Sequence, residues 1–303
     1  MTAQSPVPKA STVPVVPVLA VVGVGLIGGS FAAALRQRHG VGRVLGAGRN
    51  ARSLSHARQL GLIDEVVTLE QAALQADLII LATPVGAIED ILTRIKPHLR
   101  AQTVITDVGS TKVNVVTAAR AILGDQAGQF IPGHPIAGAE KTGPEAANAR
   151  LYQDRTVVLT PLAENSSAAR QYVTAVWERC GARVIVMEPD AHDIVLASVS
   201  HVPHFLSAVF MEQVAASRDS DVRLALAGSG FRDFTRIAAG SPEMWSDIFL
   251  ANRDAVLSEL QEVKAALSRA EQSLRNEDAR GLRDFLERAA VARRFWGSRS
   301  GLL

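Results

Sequence analysis

The sequence predicts an α/β protein: an N-terminal doubly wound parallel sheet followed by an all-helical C-terminal part. Three observations predict it. A glycine-rich turn, Gly23-Val24-Gly25-Leu26-Ile27-Gly28, joins an apolar run to helix-forming residues. Further apolar runs without alternation, suited to strands covered on both faces, recur between stretches of helical length. After Glu188 no strand-like run is found, and the pattern becomes helical.

The glycine turn sets the rest in order. Val18–Val22 reads as the first strand and Phe31-Ala32-Ala33-Ala34-Leu35 lies in the helix after it, reaching about His39. In that context Gly23 makes the turn, Gly25 lets the backbone approach a pyrophosphate and Gly28 lets the helix pack closely on the strand. A diphosphate would rest on the free N–H groups of the helix N-terminus. This is the arrangement of a dinucleotide-binding (Rossmann-type) domain.

The second strand, Arg43–Ala47, ends where such a domain would place an acid on the adenine ribose. Here the chain has Gly48, Arg49 and Asn50, with Arg52 nearby. With no carboxylate to repel a 2′-phosphate and a guanidinium to pair with one, NADP is preferred over NAD. Arg49 as a solvated loop residue, with dual cofactor use, is the alternative. Asp77–Ala82 is the next strand, ended by Thr83-Pro84 and followed by a helix from Val85 to Lys96. Gly23, Gly25, Leu26, Ile27, Gly28, Arg49, Thr83 and Pro84 form the candidate cofactor-binding set.

Thr103–Thr106 repeats the strand pattern and stops at Asp107-Val108-Gly109-Ser110-Thr111-Lys112, which puts Ser110 at a strand's carboxyl end, where such sheets bind ligands. His134 lies in a loop stiffened by Pro132 and Pro135, at the same edge. A histidine there is either structural or a base that takes a proton from an alcohol as its hydride leaves. Thr156–Thr160 and Arg183–Met187 flank a helix at about 166–180 and are expected to extend the sheet. The single cysteine, Cys180, cannot form an internal disulfide and reads as a buried thiol.

In the helical half, Ser200 and His204 are four residues apart on one face of a helix that Pro203 should kink. No further Cys or acidic residue has ligand spacing to His201 and His204, so no metal is expected. Gly228-Ser229-Gly230 interrupts the helices before Arg236, either a fork for a substrate carboxylate or half of a surface ion pair. Val256, Leu260, Val263, Leu267, Ala270 and Leu274 make a heptad-like stripe that needs a partner helix, from residues 282–295 or from a second copy of the chain.

With 303 residues, two domains fit the length: residues 1–17 as a disordered tail, 18–188 as the dinucleotide-binding domain and 189–303 as a helical substrate and dimerisation domain. A formal net charge of +2 gives no electrostatic case for nucleic acid or membrane. No apolar stretch is read as long enough to span a bilayer, and the tail lacks the pattern of a signal peptide. A cytoplasmic homodimer acting on a small molecule is expected.

Together these motifs resemble the prephenate dehydrogenase family, which includes arogenate and cyclohexadienyl dehydrogenases. The resemblance rests on Gly23–Ser30, Asp107–Lys112, Gly133–Gly138, Ser200–His204, Phe231–Ala238, Ser241–Trp245 and Asn252. It implies oxidative decarboxylation of a cyclohexadienol with NAD(P), prephenate first and arogenate as the alternative substrate. By the same resemblance His134 is the base, Ser110 hydrogen-bonds the ring hydroxyl and orients the imidazole, and Arg236 binds a carboxylate. Ser200 and His204 line the substrate side, with Glu140 and Trp245 near its mouth. Ala139 departs from the family, where many members have Ser or Thr, and puts one hydroxyl contact in doubt. The last helix ends close to Leu303, so no added ACT domain or fused chorismate mutase is expected. A hydroxyacid dehydrogenase of the 6-phosphogluconate type is disfavoured because the helical half has no lysine before Lys264. A non-catalytic NADP-binding protein would have no reason to combine Ser110, His134 and Arg236.

Overall fold

A computed structural model describes residues 15–138 and 141–300. By its internal contacts the chain divides into two compact units, one up to Asn252 and one from Arg253. In the first unit β1 (Val16–Val22), α1 (Leu26–Gln37), β2 (Val41–Ala47), α2 (Ala51–Gln59), β3 (Glu65–Val66), α3 (Leu69–Gln75), β4 (Leu78–Leu81), α4 (Ile88–Ile95), β5 (Val104–Asp107), α5 (Val113–Leu123) and β6 (Phe130–Ile131) alternate. They build a six-stranded parallel sheet of order β3-β2-β1-β4-β5-β6. The order reverses between β1 and β4, so the loops after Val22 and Leu81 flank the crevice where such sheets bind ligands.

The alternation of strand side chains explains why these apolar runs needed no polar face. Leu19 and Val21 enter a core with α1, while Ala20 and Val22 enter a second core with α3, α4 and α5. Polar N-caps start several helices: Asn50 accepts the Ser53 N–H, and Thr68 forms a capping box with Gln71. The first strand begins at Val16, inside the expected tail; the rest of that tail, residues 1–14, lies outside the described residues. Pro17, which has no N–H to give, falls between the Val16–Val41 and Val18–Arg43 pairs that join β1 to β2. The helix expected from Val85 starts as a 3₁₀ turn, Val85–Ala87, before α4.

One topological expectation is corrected. β7 (Gly133–Pro135), β8 (Thr156–Leu159) and β9 (Arg183–Val186) do not extend the main sheet but form a separate three-stranded one. The break falls at Pro132, after which β7 runs antiparallel to β8. Pro132 lacks the N–H that would continue a strand pairing, and its carbonyl accepts the Thr160 N–H instead. Between β8 and β9, α6 (Ser167–Arg179) starts at the Ser166 cap and ends at the buried Cys180. Burial pushes the Cys180 thiol pKa upward, as an inert thiol requires. Phe31, Tyr152 and Trp177 pack edge to face, and the Tyr152 hydroxyl donates to the Ile27 carbonyl at 2.6 Å.

The unit continues with α7 (Pro189–Leu196), a π-helical turn at Ala197–His201, α8 (Val202–Ala215), α9 (Ser220–Ala225), α10 (Ser229–Thr235), a 3₁₀ turn at Arg236–Ala239 and α11 (Pro242–Ala251). The disturbance expected from Pro203 is the π turn: the Val202 N–H bonds to the Ala197 carbonyl. A wider turn makes room for the proline ring and its missing donor. Gly228 does interrupt the helices, but Ser229 and Gly230 already belong to α10. The helical run Pro189–Ala215 is long and apolar enough to cross a membrane, which corrects the reading that no stretch was. It holds the buried polar residues His192, Asp193, His201 and His204, as a core helix around a site does.

The second unit is a pair of helices, α12 (Arg253–Arg275) and α13 (Ala279–Ser300). Of the heptad-like stripe on α12, Val256 and Leu260 are buried, while Leu267 and Leu274 remain 66% and 65% exposed. The helix α13 therefore does not cover the stripe along its length.

Candidate active site

The dinucleotide crevice is shaped by backbone. Gly23 has φ +93°, and a Cβ there would lie 2.4 Å from the Ala82 carbonyl oxygen. A Cβ at Gly28 would lie 2.4 Å from the Gly23 carbonyl oxygen. Only glycine fits either position. Gly25 N-caps α1 without a side-chain bond and has open space where its Cβ would be, so the first N–H groups of α1 face a clear approach. These residues fit a dinucleotide diphosphate. Leu26 and Ile27 open α1, and Thr83 and Pro84 follow β4 across the crevice. Arg49 is exposed just past β2, and Asn50 turns the chain into α2.

Below the end of β5 lies a buried ion pair. Lys112 and Asp107 are both fully buried, with Lys112 Nζ donating to Asp107 Oδ2 at 2.5 Å and to the Gly133 carbonyl at 2.8 Å. Asp107 also accepts the N–H groups of Gly109 and Gly133, at 2.8 and 3.0 Å. This clamp fixes the start of β7 and with it His134. Burial lowers the Lys112 pKa, against the pull of Asp107.

His134 is buried, and its Nδ1 lies 2.8 Å from His192 Nε2. His192 Nδ1 lies 2.7 Å from Asp193 Oδ1. Asp193 in turn accepts the N–H groups of Lys112 and Val113, at 2.8 and 2.9 Å, and so caps α5 from α7. Asn252 Nδ2 donates to the Asp193 carbonyl at 2.7 Å and lies 3.1 Å from His201 Nδ1. Burial first, then the charges of His192, Lys112 and His201, hold the His134 pKa well below the ordinary histidine value.

A second group adjoins the first. His201 is pushed down to about 4, mainly by burial; Asp193 and then the Ser110 carbonyl favour its protonated form, but among the described residues no atom completes a hydrogen bond to Nε2. Its ring meets Trp245 edge to face at 6.3 Å, and Trp245 stacks on His204 with ring centroids 3.5 Å apart. His204, also shifted to about 4 by burial, is a neutral ring at neutral pH. Gly240, which ends the turn begun by Arg236, packs so closely on Trp245 and His204 that a Cβ there would come within 2.6 and 3.0 Å of them. Ser200 lies half-buried in the π turn beside His201.

The structure thus groups His134 and the Ser110 segment through Lys112 and His201, and His204 with Trp245 and the turn that Arg236 opens. Arg236 itself is exposed. Ala139 and Glu140 lie outside the described residues. Local sequence reasoning missed Asp107, Lys112, His192 and Asp193 as site residues. A usable signal existed for two of them: an adjacent His-Asp pair inside an otherwise apolar helix is costly unless both side chains have partners.

Two family models match the chain, "Prephenate dehydrogenase, nucleotide-binding domain" over residues 31–186 and "Prephenate dehydrogenase, dimerization domain" over residues 188–288. The chain is 35% identical over 280 residues to a cyclohexadienyl dehydrogenase of Zymomonas mobilis, covering 91% of this chain and 94% of that protein. It is similar to the crystal structure of prephenate dehydrogenase from Aquifex aeolicus in complex with hydroxyphenyl propionate and NAD+, with TM-score 0.86, 34% identity and coverage of 91% and 97%. The structure of Synechocystis arogenate dehydrogenase matches with TM-score 0.78 and 31% identity, covering 92% of this chain and 99% of that one.

Proposed function

The chain belongs to the prephenate dehydrogenase family of NAD(P)-dependent oxidoreductases, and we propose from that premise that it converts prephenate to 4-hydroxyphenylpyruvate by oxidative decarboxylation. The observation that carries the reading is His134: a buried imidazole, held neutral, at the carboxyl edge that also carries the glycine crevice. A neutral imidazole is the form that can take the ring hydroxyl's proton. The nicotinamide, when bound, supplies the acceptor for the hydride leaving the same carbon.

The electron pair of the ring-to-carboxylate bond then enters the ring, carbon dioxide leaves, and the phenolate oxygen takes back a proton. Aromatisation supplies the driving force, so the protein's task is alignment and one base. Ser110 would bond the hydroxyl, Arg236 a carboxylate, and the His204–Trp245 stack would flank the substrate with Ser200. Glu140 is proposed as a further substrate-binding residue.

NADP is preferred because Arg49 and Arg52 stand where an acid would bind a ribose hydroxyl, and no carboxylate occupies residues 47–53. A homodimer through residues 189–303 is proposed, supported by the exposed Leu267 and Leu274 on α12. The cytoplasm is the proposed location. The test is nicotinamide reduction, followed by absorbance, crossing prephenate and arogenate with NADP and NAD. Prephenate with NADP should give the highest kcat/KM. Reduction with arogenate alone would replace the substrate, and no reduction in any pairing would refute the reading.

A further inference from the structure

His192 and Asp193 take no part in the proton step as described, yet they are almost wholly buried, at 0% and 3% exposure. Capping α5 requires the Asp193 carboxylate but gives His192 no task. The hydrogen bonds around the two residues do.

A carboxylate has no proton to donate. Asp193 already accepts from the backbone of Lys112 and Val113, which fixes its oxygens. Its 2.7 Å contact with His192 therefore requires that His192 donate from Nδ1. In a neutral imidazole the other nitrogen is then an acceptor. The 2.8 Å contact between His192 Nε2 and His134 Nδ1 accordingly requires that His134 donate. With His192 neutral each step leaves one choice, and the last leaves the His134 lone pair on Nε2.

We infer that His192 and Asp193 are positioning residues that hold His134 in the tautomer protonated on Nδ1, so that Nε2 is the atom that takes the substrate proton. The inference rests on the proposed reaction only for the identity of that proton. When Nε2 receives it, the O–H bond breaks and an N–H bond forms, and His134 becomes a cation facing Lys112 and His201. The charged and titratable groups around it are Asp107 from the end of β5, Lys112 at the N-cap of α5, His192 and Asp193 from α7, and His201 from the π turn. Asp193, reached through His192, is a carboxylate in line with the new charge and favours it. Returning the proton to the phenolate oxygen restores the starting tautomers.

The test compares His192→Phe, His192→Gln and Asp193→Asn, with nitrogen NMR of the histidine rings as a readout independent of turnover. In the unaltered protein both His134 and His192 should carry their proton on Nδ1. Phenylalanine removes the acceptor, and kcat should fall about a hundredfold with substrate KM within about twofold. Glutamine can accept from His134 with its carbonyl oxygen and donate to Asp193 with its amide, and should restore kcat to within about tenfold of the parent. Asparagine at 193 can donate to His192 and flip both rings, so kcat should fall by up to about 10⁴, the loss seen for this change in a Ser-His-Asp triad. The acidic limb of kcat should move to lower pH, because the anion favouring the His134 cation is gone. His192→Phe within threefold of the parent kcat would overturn the inference, as would NMR showing His134 protonated on Nε2. If no cyclohexadienol is oxidised at all, the proposed reaction fails while the NMR result still judges the tautomer.

Discussion

Replacing Lys112 by Met should destabilise the first unit more than any surface change could. The side chains of Lys112 and Asp107 are both 0% exposed, so solvent screens neither charge. The substitution removes the donor to Asp107 and the 2.8 Å bond to the Gly133 carbonyl. Asp107 keeps only the N–H groups of Gly109 and Gly133. Breaking one side of a buried pair strands the other charge and typically costs about 3–5 kcal/mol. At about 2–4 °C per kcal/mol for a body of this size, Tm should fall by about 6–20 °C. Differential scanning fluorimetry measures it. Adding Asp107→Asn removes the stranded charge, so the double variant should melt at least about 2 °C above Lys112→Met alone. A single-variant shift below about 3 °C, or a double variant that loses the sum of both single losses, would refute the clamp.

Four further outcomes follow from the same geometry. His134→Asn should lower turnover by about a hundredfold or more while cofactor still quenches the protein's fluorescence; near-normal turnover would remove it as the base. Arg236→Gln should raise substrate KM more than it lowers kcat, and an unchanged KM would end its carboxylate role. Arg49→Ala should raise the Kd of NADP more than that of NAD, with equal changes counting against the 2′-phosphate assignment. His201 is held near 4 against an unfolded value of 6.5, so between those values the unfolded chain binds more protons and stability rises with pH. Acidifying from pH 6.5 to 4 should lose stability on the order of 3 kcal/mol from this residue. Urea titrations of the parent and His201→Asn across that range should diverge, and parallel curves would reject the assignment.

The parts legible in the sequence were those that local order dictates. The glycine turn could be read because Gly23, Gly25 and Gly28 act within one strand, turn and helix, and the strands because Leu19–Val22 and Leu78–Leu81 are apolar on both faces. Pro203 announced a defect in its helix because its missing N–H acts on the preceding turn. The separate β7-β8-β9 sheet was not legible, since an apolar run such as Thr156–Leu159 looks the same in either sheet. Which sheet it joins depends on the direction the chain takes after Pro132.

The site's supporting residues escaped for a different reason. Lys112 and Asp193 meet across 81 positions of sequence, and His134 and His192 across 58. No period or spacing records such a pairing. In α7 the sequence even points the wrong way: His192 and Asp193 look like its solvent face, yet they are buried, while Ile194 and Val195 are 63% and 46% exposed. A helix that turns polar groups inward beside the buried Leu196 can persist only if those groups are paired, and here the α5 backbone and His134 provide the pairs. The same arrangement leaves Ile194 and Val195 outward, as expected of a helix that another surface covers. One helix thus meets two requirements at once: its inner polar residues orient the base, and its outer apolar residues support the proposal that residues 189–303 form the dimer surface.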